Sequence, residues 1–183
     1  MKSYAQVSAV PKTEENIGTG DTAIYRTVDK MKNIIKESSR NPYVREWAKE
    51  IVARVEVNNK KAEAKAIFYF VRDNVRYTRD PLGFEYLQTP PVLLEDIRLY
   101  QSGKGNRPVG DCDDMTLLSL SLLKSIGFEV AIKVVSFREN KQFGHVYGLV
   151  KIGYDWVPFD CVRPDQDMGW ESAGHTRVME TIV

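Results

Sequence analysis

Residues 110–128 read GDCDDMTLLSLSLLKSIGF, and the fold follows from how this stretch is built. Apolar residues occupy most faces of the run Asp113 to Ile126, with small Ser119 and Ser121 between them, and Gly127 stands where a helix needs a left-handed cap. The pattern predicts a buried central helix that Cys112 opens. A cysteine in the first turn meets unpaired backbone N–H groups and the positive end of the helix dipole, which together favour thiolate over thiol. Gly110 permits close backbone approach, and the N–H groups around Cys112 can hold an oxyanion. Gly110 and Asp111 are therefore candidate oxyanion or substrate contacts. Asp113 and Asp114 suit the first turn as dipole partners. Two adjacent carboxylates nevertheless raise a thiol pKa, so a positive group is needed to compensate.

That group is sought among the two histidines. Beyond the helix the pattern changes to strands: Glu129 to Phe137, Gly144 to Ile152 and Trp156 to Val162 are rich in Val, Ile and aromatic residues. His145 opens the second strand, whereas His175 lies in the weakly patterned segment Arg163 to Val183, so His145 is the candidate base. A nucleophile and base need a third group to orient the base, and Asp160 in the next strand is the candidate. An antiparallel turn centred on Ile152-Gly153 sets His145 directly opposite Asp160 on one face. A slip of one residue would separate them, and Tyr154-Asp155 is a competing turn. Cys161, inside an apolar strand, reads as packing.

Upstream, helices dominate. Met1 to Asp21 is polar and aperiodic and reads as a mobile or partner-docked arm. From Thr22, residues Ile24, Val28, Met31, Ile34 and Ile35 recur at helical spacing. Asn41-Pro42 is a helix start, followed by the stripe Val44, Trp47, Ala48, Ile51, Val52 and Val55. Asn58 or Asn59 caps a third helix with Ala62, Ala66, Ile67, Phe70 and Val71 inward. Thr78 to Gly110 is an ordered loop region, with one short helix from Thr89-Pro90 to about Tyr100. Helices followed by a sheet give an α+β fold in one domain, 22–162, with 163–183 as a surface tail.

Composition narrows the function. The chain carries 26 Lys and Arg against 25 Asp and Glu, and a formal charge of +1 supplies no field for nucleic acid or an anionic membrane. The longest apolar stretch, Met115 to Ile126, is too short and too interrupted to span a bilayer, and Met1 to Pro11 lacks the features of a secretory signal. A cytoplasmic location is expected, with no nucleic-acid and no membrane partner. Two cysteines make neither a disulfide framework nor a zinc site, which suits a reduced compartment and a working thiol. Asp111, Asp113 and Asp114 lack calcium-loop spacing, and Gly103-Lys104-Gly105 lacks the residues of a phosphate loop, so neither a metal nor a cofactor is expected. Tyr77, Phe84, Tyr86 and Tyr100 are scattered, as core or rim aromatics are.

The motifs Gly110-Asp111-Cys112-Asp113-Asp114, Ser125-Ile126-Gly127-Phe128, His145-Val146-Tyr147 and Trp156-Val157-Pro158-Phe159-Asp160 together resemble the transglutaminase-like superfamily of papain-like cysteine enzymes. The likeness runs roughly from Ala62 to Val162. It implies a central helix bearing the cysteine, packed on an antiparallel sheet that carries the histidine and aspartate. It also implies the roles of nucleophile, base and orienting acid for Cys112, His145 and Asp160. Tyr77 falls near the position of an aromatic oxyanion-hole residue. Val75-Arg76-Tyr77, Asp80-Pro81, Glu85 and Gln88-Thr89-Pro90 resemble short phage and prophage members, which implies host cytoplasm or virion as location and virion proteins as partners. The chain departs from common family patterns at Asp160-Cys161 and His145-Val146-Tyr147, beside the implied triad. The implied activity is cysteine-dependent acyl transfer on the amide bonds of a protein or peptide substrate, chiefly hydrolytic. Protein cross-linking and a catalytically silent phage structural or scaffolding role are the alternatives.

Overall fold

The computed structural model describes residues 20–79, 86–140 and 142–183. The expected arm lies outside these residues except for its last two, as do Asp80, Pro81, Phe84 and Glu85. Four helices come first or early: α1 (Asp21–Arg40), α2 (Pro42–Val52), α3 (Lys60–Asn74) and α4 (Pro90–Gln101). The short strands β1 (Arg76–Tyr77) and β2 (Val109–Gly110) flank α4 in sequence, and α5 (Cys112–Ser125) follows. The chain ends in β3 (Val130–Ser136), β4 (His145–Ile152), β5 (Asp155–Phe159) and β6 (Arg177–Ile182).

Local chemistry accounts for the helix boundaries. Asn41 accepts from the Tyr43 N–H at 2.9 Å and Asn59 accepts from the Ala62 N–H at 3.0 Å, each satisfying a donor that a helix start leaves unpaired. At the far end of α5, the Gly127 N–H bonds the Lys124 carbonyl and the Phe128 N–H bonds the Leu123 carbonyl. Gly127 has φ +93°, which completes a Schellman cap. α5 sits at the centre, with Leu117, Leu118, Leu120, Leu122 and Leu123 fully buried. Helices α1 to α4 pack on one side of it and β3 and β4 on the other.

The main sheet is antiparallel, in the order β5-β4-β3-β6. Alternation along β4 sends Val146 and Val150 into the main core, while Tyr147 and Leu149 join Ala131 and Val135 on the other face. A β-carbon built on Gly148 would lie 2.5 Å from Leu120 Cδ2, so the absent side chain is what lets α5 approach this strand.

Two expectations are corrected. Arg163 to Val183 is not a surface tail throughout, because β6 pairs with β3 from Ala131↔Ile182 to Ser136↔Arg177 and forms a sheet edge. Its residues alternate in burial, but Arg177, Glu180 and Thr181 dilute the apolar signal that marks a strand in sequence. The hairpin turn is centred on Gly153-Tyr154 rather than Ile152-Gly153, with Gly148↔Phe159 and Ile152↔Asp155 in register. Gly153 has φ +64°, a conformation glycine adopts without steric cost. Asp160 thus lies just beyond β5, and His145 is its diagonal rather than its direct neighbour. Among the described residues no helix is long and apolar enough to cross a membrane.

The Gly148 contact generates a stability prediction. Gly148→Ala should lower the free energy of urea unfolding by about 1–3 kcal/mol through overpacking. Combined with Leu120→Ala, it should cost less than the sum of the two single changes, since the second makes room for the first.

Candidate active site

The site is assembled around the first turn of α5. Asp111 Oδ1 accepts from the N–H groups of Asp113 (2.9 Å) and Asp114 (3.2 Å), and Asp114 Oδ2 accepts from the Asp111 N–H at 3.4 Å. This reciprocal capping box fixes the turn that carries Cys112. Asp114 is itself anchored by Gln88, whose backbone N–H donates at 2.7 Å and whose Nε2 donates at 2.8 Å. A β-carbon on Gly110 would stand 3.0 Å from Asp114 Cβ and 3.2 Å from its Oδ2, a tight fit against the same carboxylate. Asp111, a sequence candidate for substrate contact, therefore serves as the helix cap. Gln88 and the box role of Asp114 are additions. The Asp-x-x-Asp spacing is their signal in sequence, whereas nothing local marks Gln88 as the anchor.

Tyr77 reaches this turn through the small parallel ladder, in which Arg76 pairs with Val109 and Tyr77 with Gly110. The Thr78 N–H closes the ladder on the Gly110 carbonyl at 2.9 Å. Burial is the main cause that lifts the Tyr77 phenol above its ordinary value; Arg79 opposes it, and Cys112 and Asp111 add to it. An open groove of about 750 Å³ flanks the same strands, lined in part by Arg76, Gln88, Asp96, Leu99 and Arg107.

His145 and Asp160 meet directly: Nε2 to Oδ2 is 2.7 Å. Asp160 Oδ1 accepts from the Val162 N–H at 3.1 Å, so both carboxylate oxygens of this buried residue are placed. The other ring nitrogen of His145, Nδ1, is left for a different partner. Cys112 approaches from α5. Thr116 Oγ1 donates to the Cys112 carbonyl at 2.7 Å and also lies 3.3 Å from the Val146 carbonyl, tying the helix start to the strand start. The thiol feels a hydrogen bond from the Val146 backbone, one residue from the imidazole.

Electrostatics at the thiol differ from the sequence expectation. Burial pushes Cys112 well above the ordinary thiol value, Asp113 and Asp111 push it further, and the Val146 backbone opposes them. Asp113 Oδ1 lies 3.6 Å from Sγ. Burial and the two carboxylates outweigh the Val146 backbone, and the balance favours thiol over thiolate. Cys161 is buried against the Phe68 carbonyl, 3.9 Å away, and burial raises it too. His175 packs beside Phe137, ring centroids 5.0 Å apart, and takes no part in the cluster. Ligand atoms of Asp111, Cys112 and Asp113 lie within 4.8 Å of one another, but Asp111 Oδ1 already serves the cap.

Residues 45–161 match the family model of the transglutaminase-like superfamily. The chain belongs to this superfamily. A solved structure agrees on the fold. A proposed protease from Parabacteroides distasonis superposes with TM-score 0.53 at 10% identity, covering 73% of this chain and 25% of its own. A proposed cysteine protease from Cytophaga hutchinsonii gives TM-score 0.48 at 16% identity, covering 81% and 53%. Legionella pneumophila LapG gives 0.42 at 14%, covering 75% and 76%. The chain spans about half the length of the Cytophaga protein and a quarter of the Parabacteroides one. No curated protein matches the sequence significantly.

A carboxylate that raises a thiol pKa slows alkylation, so removing its charge should do the reverse. Asp113→Asn is expected to lower the Cys112 pKa and speed iodoacetamide labelling of Cys112 near neutral pH severalfold, read by peptide mass mapping, with Cys161 labelling unchanged.

Proposed function

We propose that the protein is a cysteine-dependent acyl-transfer enzyme acting on amide bonds of a protein or peptide, with hydrolysis as the outcome. The observation that carries this reading is the 2.7 Å His145–Asp160 hydrogen bond at the strand start that meets the Cys112 turn.

Each group takes one part in the proposed reaction. Asp160 holds Nε2–H, so the imidazole presents Nδ1 as its basic nitrogen. As the Cys112 proton passes to Nδ1, sulfur attacks the amide carbon and its C=O becomes an oxyanion. Because the cap consumes the N–H groups of Asp113 and Asp114, the Cys112 N–H is the first-turn donor for that oxyanion, with the Tyr77 hydroxyl as a second. The imidazolium then protonates the departing amine and the C–N bond breaks, leaving a thioester. Water, deprotonated by His145, attacks the thioester, and a carboxylic acid and the free thiol are released. A lysine amine in place of water would give cross-linking. Water is favoured by the descriptions of the Parabacteroides and Cytophaga proteins as proteases. The base has a task to perform, since burial and the neighbouring carboxylates disfavour a free thiolate.

The reading is tested with a cysteine-directed probe. Cys112 should label faster than Cys161, and His145→Ala should slow Cys112 roughly 10²-fold or more, the ordinary contribution of a general base. Asp160→Asn should slow it by a smaller factor while leaving Cys161 unaffected. Equal labelling of the two thiols in the native protein would sink the proposal.

A further inference from the structure

A histidine held by one hydrogen bond can still pivot about it, and His145, as the first residue of β4, has strand backbone on one side only. Tyr147 stands two residues on, projecting from the same face. The two ring centroids are 5.5 Å apart and the planes are inclined by 30°. The tyrosine is held in turn: its O–H donates to the Glu171 carboxylate. Glu171 also receives the Lys133 ammonium at 2.7 Å, and Lys133 reaches Glu180 at 3.1 Å. Lys133 is the register partner of both Tyr147 on β4 and Glu180 on β6. One polar row therefore crosses three strands beneath the irregular segment that carries Glu171.

We propose that Tyr147 is a positioning residue for His145, and that Glu171, supplied by the C-terminal segment, holds Tyr147 against the imidazole. The inference rests on reading His145 as the base, and it assigns a part in the site to residues beyond 161, where the family match ends. The burial pattern supports it. Tyr147 is 2% exposed and the Lys133 side chain 12%, and charges at such depth persist only when paired. Burial, with the Glu171 hydrogen bond next, raises the phenol, which remains a donor throughout the working pH range. Burial alone would raise Glu171, but its bonds from Lys133 and Tyr147 prevail and hold it below the ordinary carboxylate value. Donor and acceptor thus keep their roles.

Two variants separate positioning from packing. Tyr147→Phe keeps the ring and removes the tie; Glu171→Gln keeps the shape and removes the charge. Glu129→Gln, which breaks the Lys151–Glu129 pair elsewhere on the sheet, is the control. The first readout is the pH profile of Cys112 alkylation. The second is the low-field proton signal of the His145 ring N–H, assigned by its disappearance in Asp160→Asn. Both variants should slow alkylation roughly tenfold, displace the profile along the pH axis and broaden the ring signal, with circular dichroism unchanged. The control should match wild type. Wild-type profiles and ring signals in both variants would overturn the proposal. If His145→Ala leaves Cys112 labelling unchanged, the base reading fails, and the ring signal still decides whether Tyr147 and Glu171 position the histidine. Should Tyr147→Phe not fold, Glu171→Gln decides alone.

Discussion

The contact between α5 and β4 governs the rest of the molecule. Leu120 seats against the bare backbone of Gly148, and Thr116 bridges the Cys112 and Val146 carbonyls one turn earlier. Protein interiors are close-packed and transmit small displacements, so these contacts fix how far the thiol-bearing turn stands from the histidine-bearing strand. Helices α1 to α4 pack against α5, and α3 also reaches β4. Depth and reactivity are coupled here: the packing that brings Cys112 to Val146 is also what desolvates the sulfur.

Carboxylates around the Cys112 thiol serve architecture first. Asp111 and Asp114 close the helix start, and Gln88 fastens Asp114 to the segment preceding α4. The negative charge of Asp111, and of Asp113 beside it, works against ionisation of the neighbouring thiol. Under the proposed mechanism the site separates two tasks that many cysteine sites combine, placing the sulfur with acids and activating it with a base. An imidazole whose far nitrogen is fixed by Asp160 suits the second task, because its proton-accepting nitrogen is set in advance.

Much of this was legible in sequence where the signal was local. Asn41-Pro42 and Asn59 are caps whose chemistry can be read from a few residues, and Gly127 ends α5 as its position requires. The hairpin illustrates the limit. Gly153 fits a turn centred on either side of it, and packing selects the register that makes His145 and Asp160 diagonal partners. Both readings keep the pair on one face, which is why the contact survives the change. β6 was illegible because its alternation is broken by charged residues whose partners, such as Asp21 for Arg177, lie far away in sequence. The burial of Cys112 was illegible for a related reason: a helix dipole and adjacent carboxylates are visible in sequence, but desolvation is a property of the assembled fold.

The capped, desolvated sulfur has a consequence for durability. Peroxides and disulfides attack or are attacked by thiolates, and a thiol kept in its protonated form reacts with them slowly. Cys112 is a half-buried thiol whose pKa burial and the neighbouring Asp113 and Asp111 raise, and Cys161 is fully enclosed. A reagent must therefore enter at the first turn of α5 to reach the Cys112 sulfur, whereas Cys161 is closed off by the packing around it.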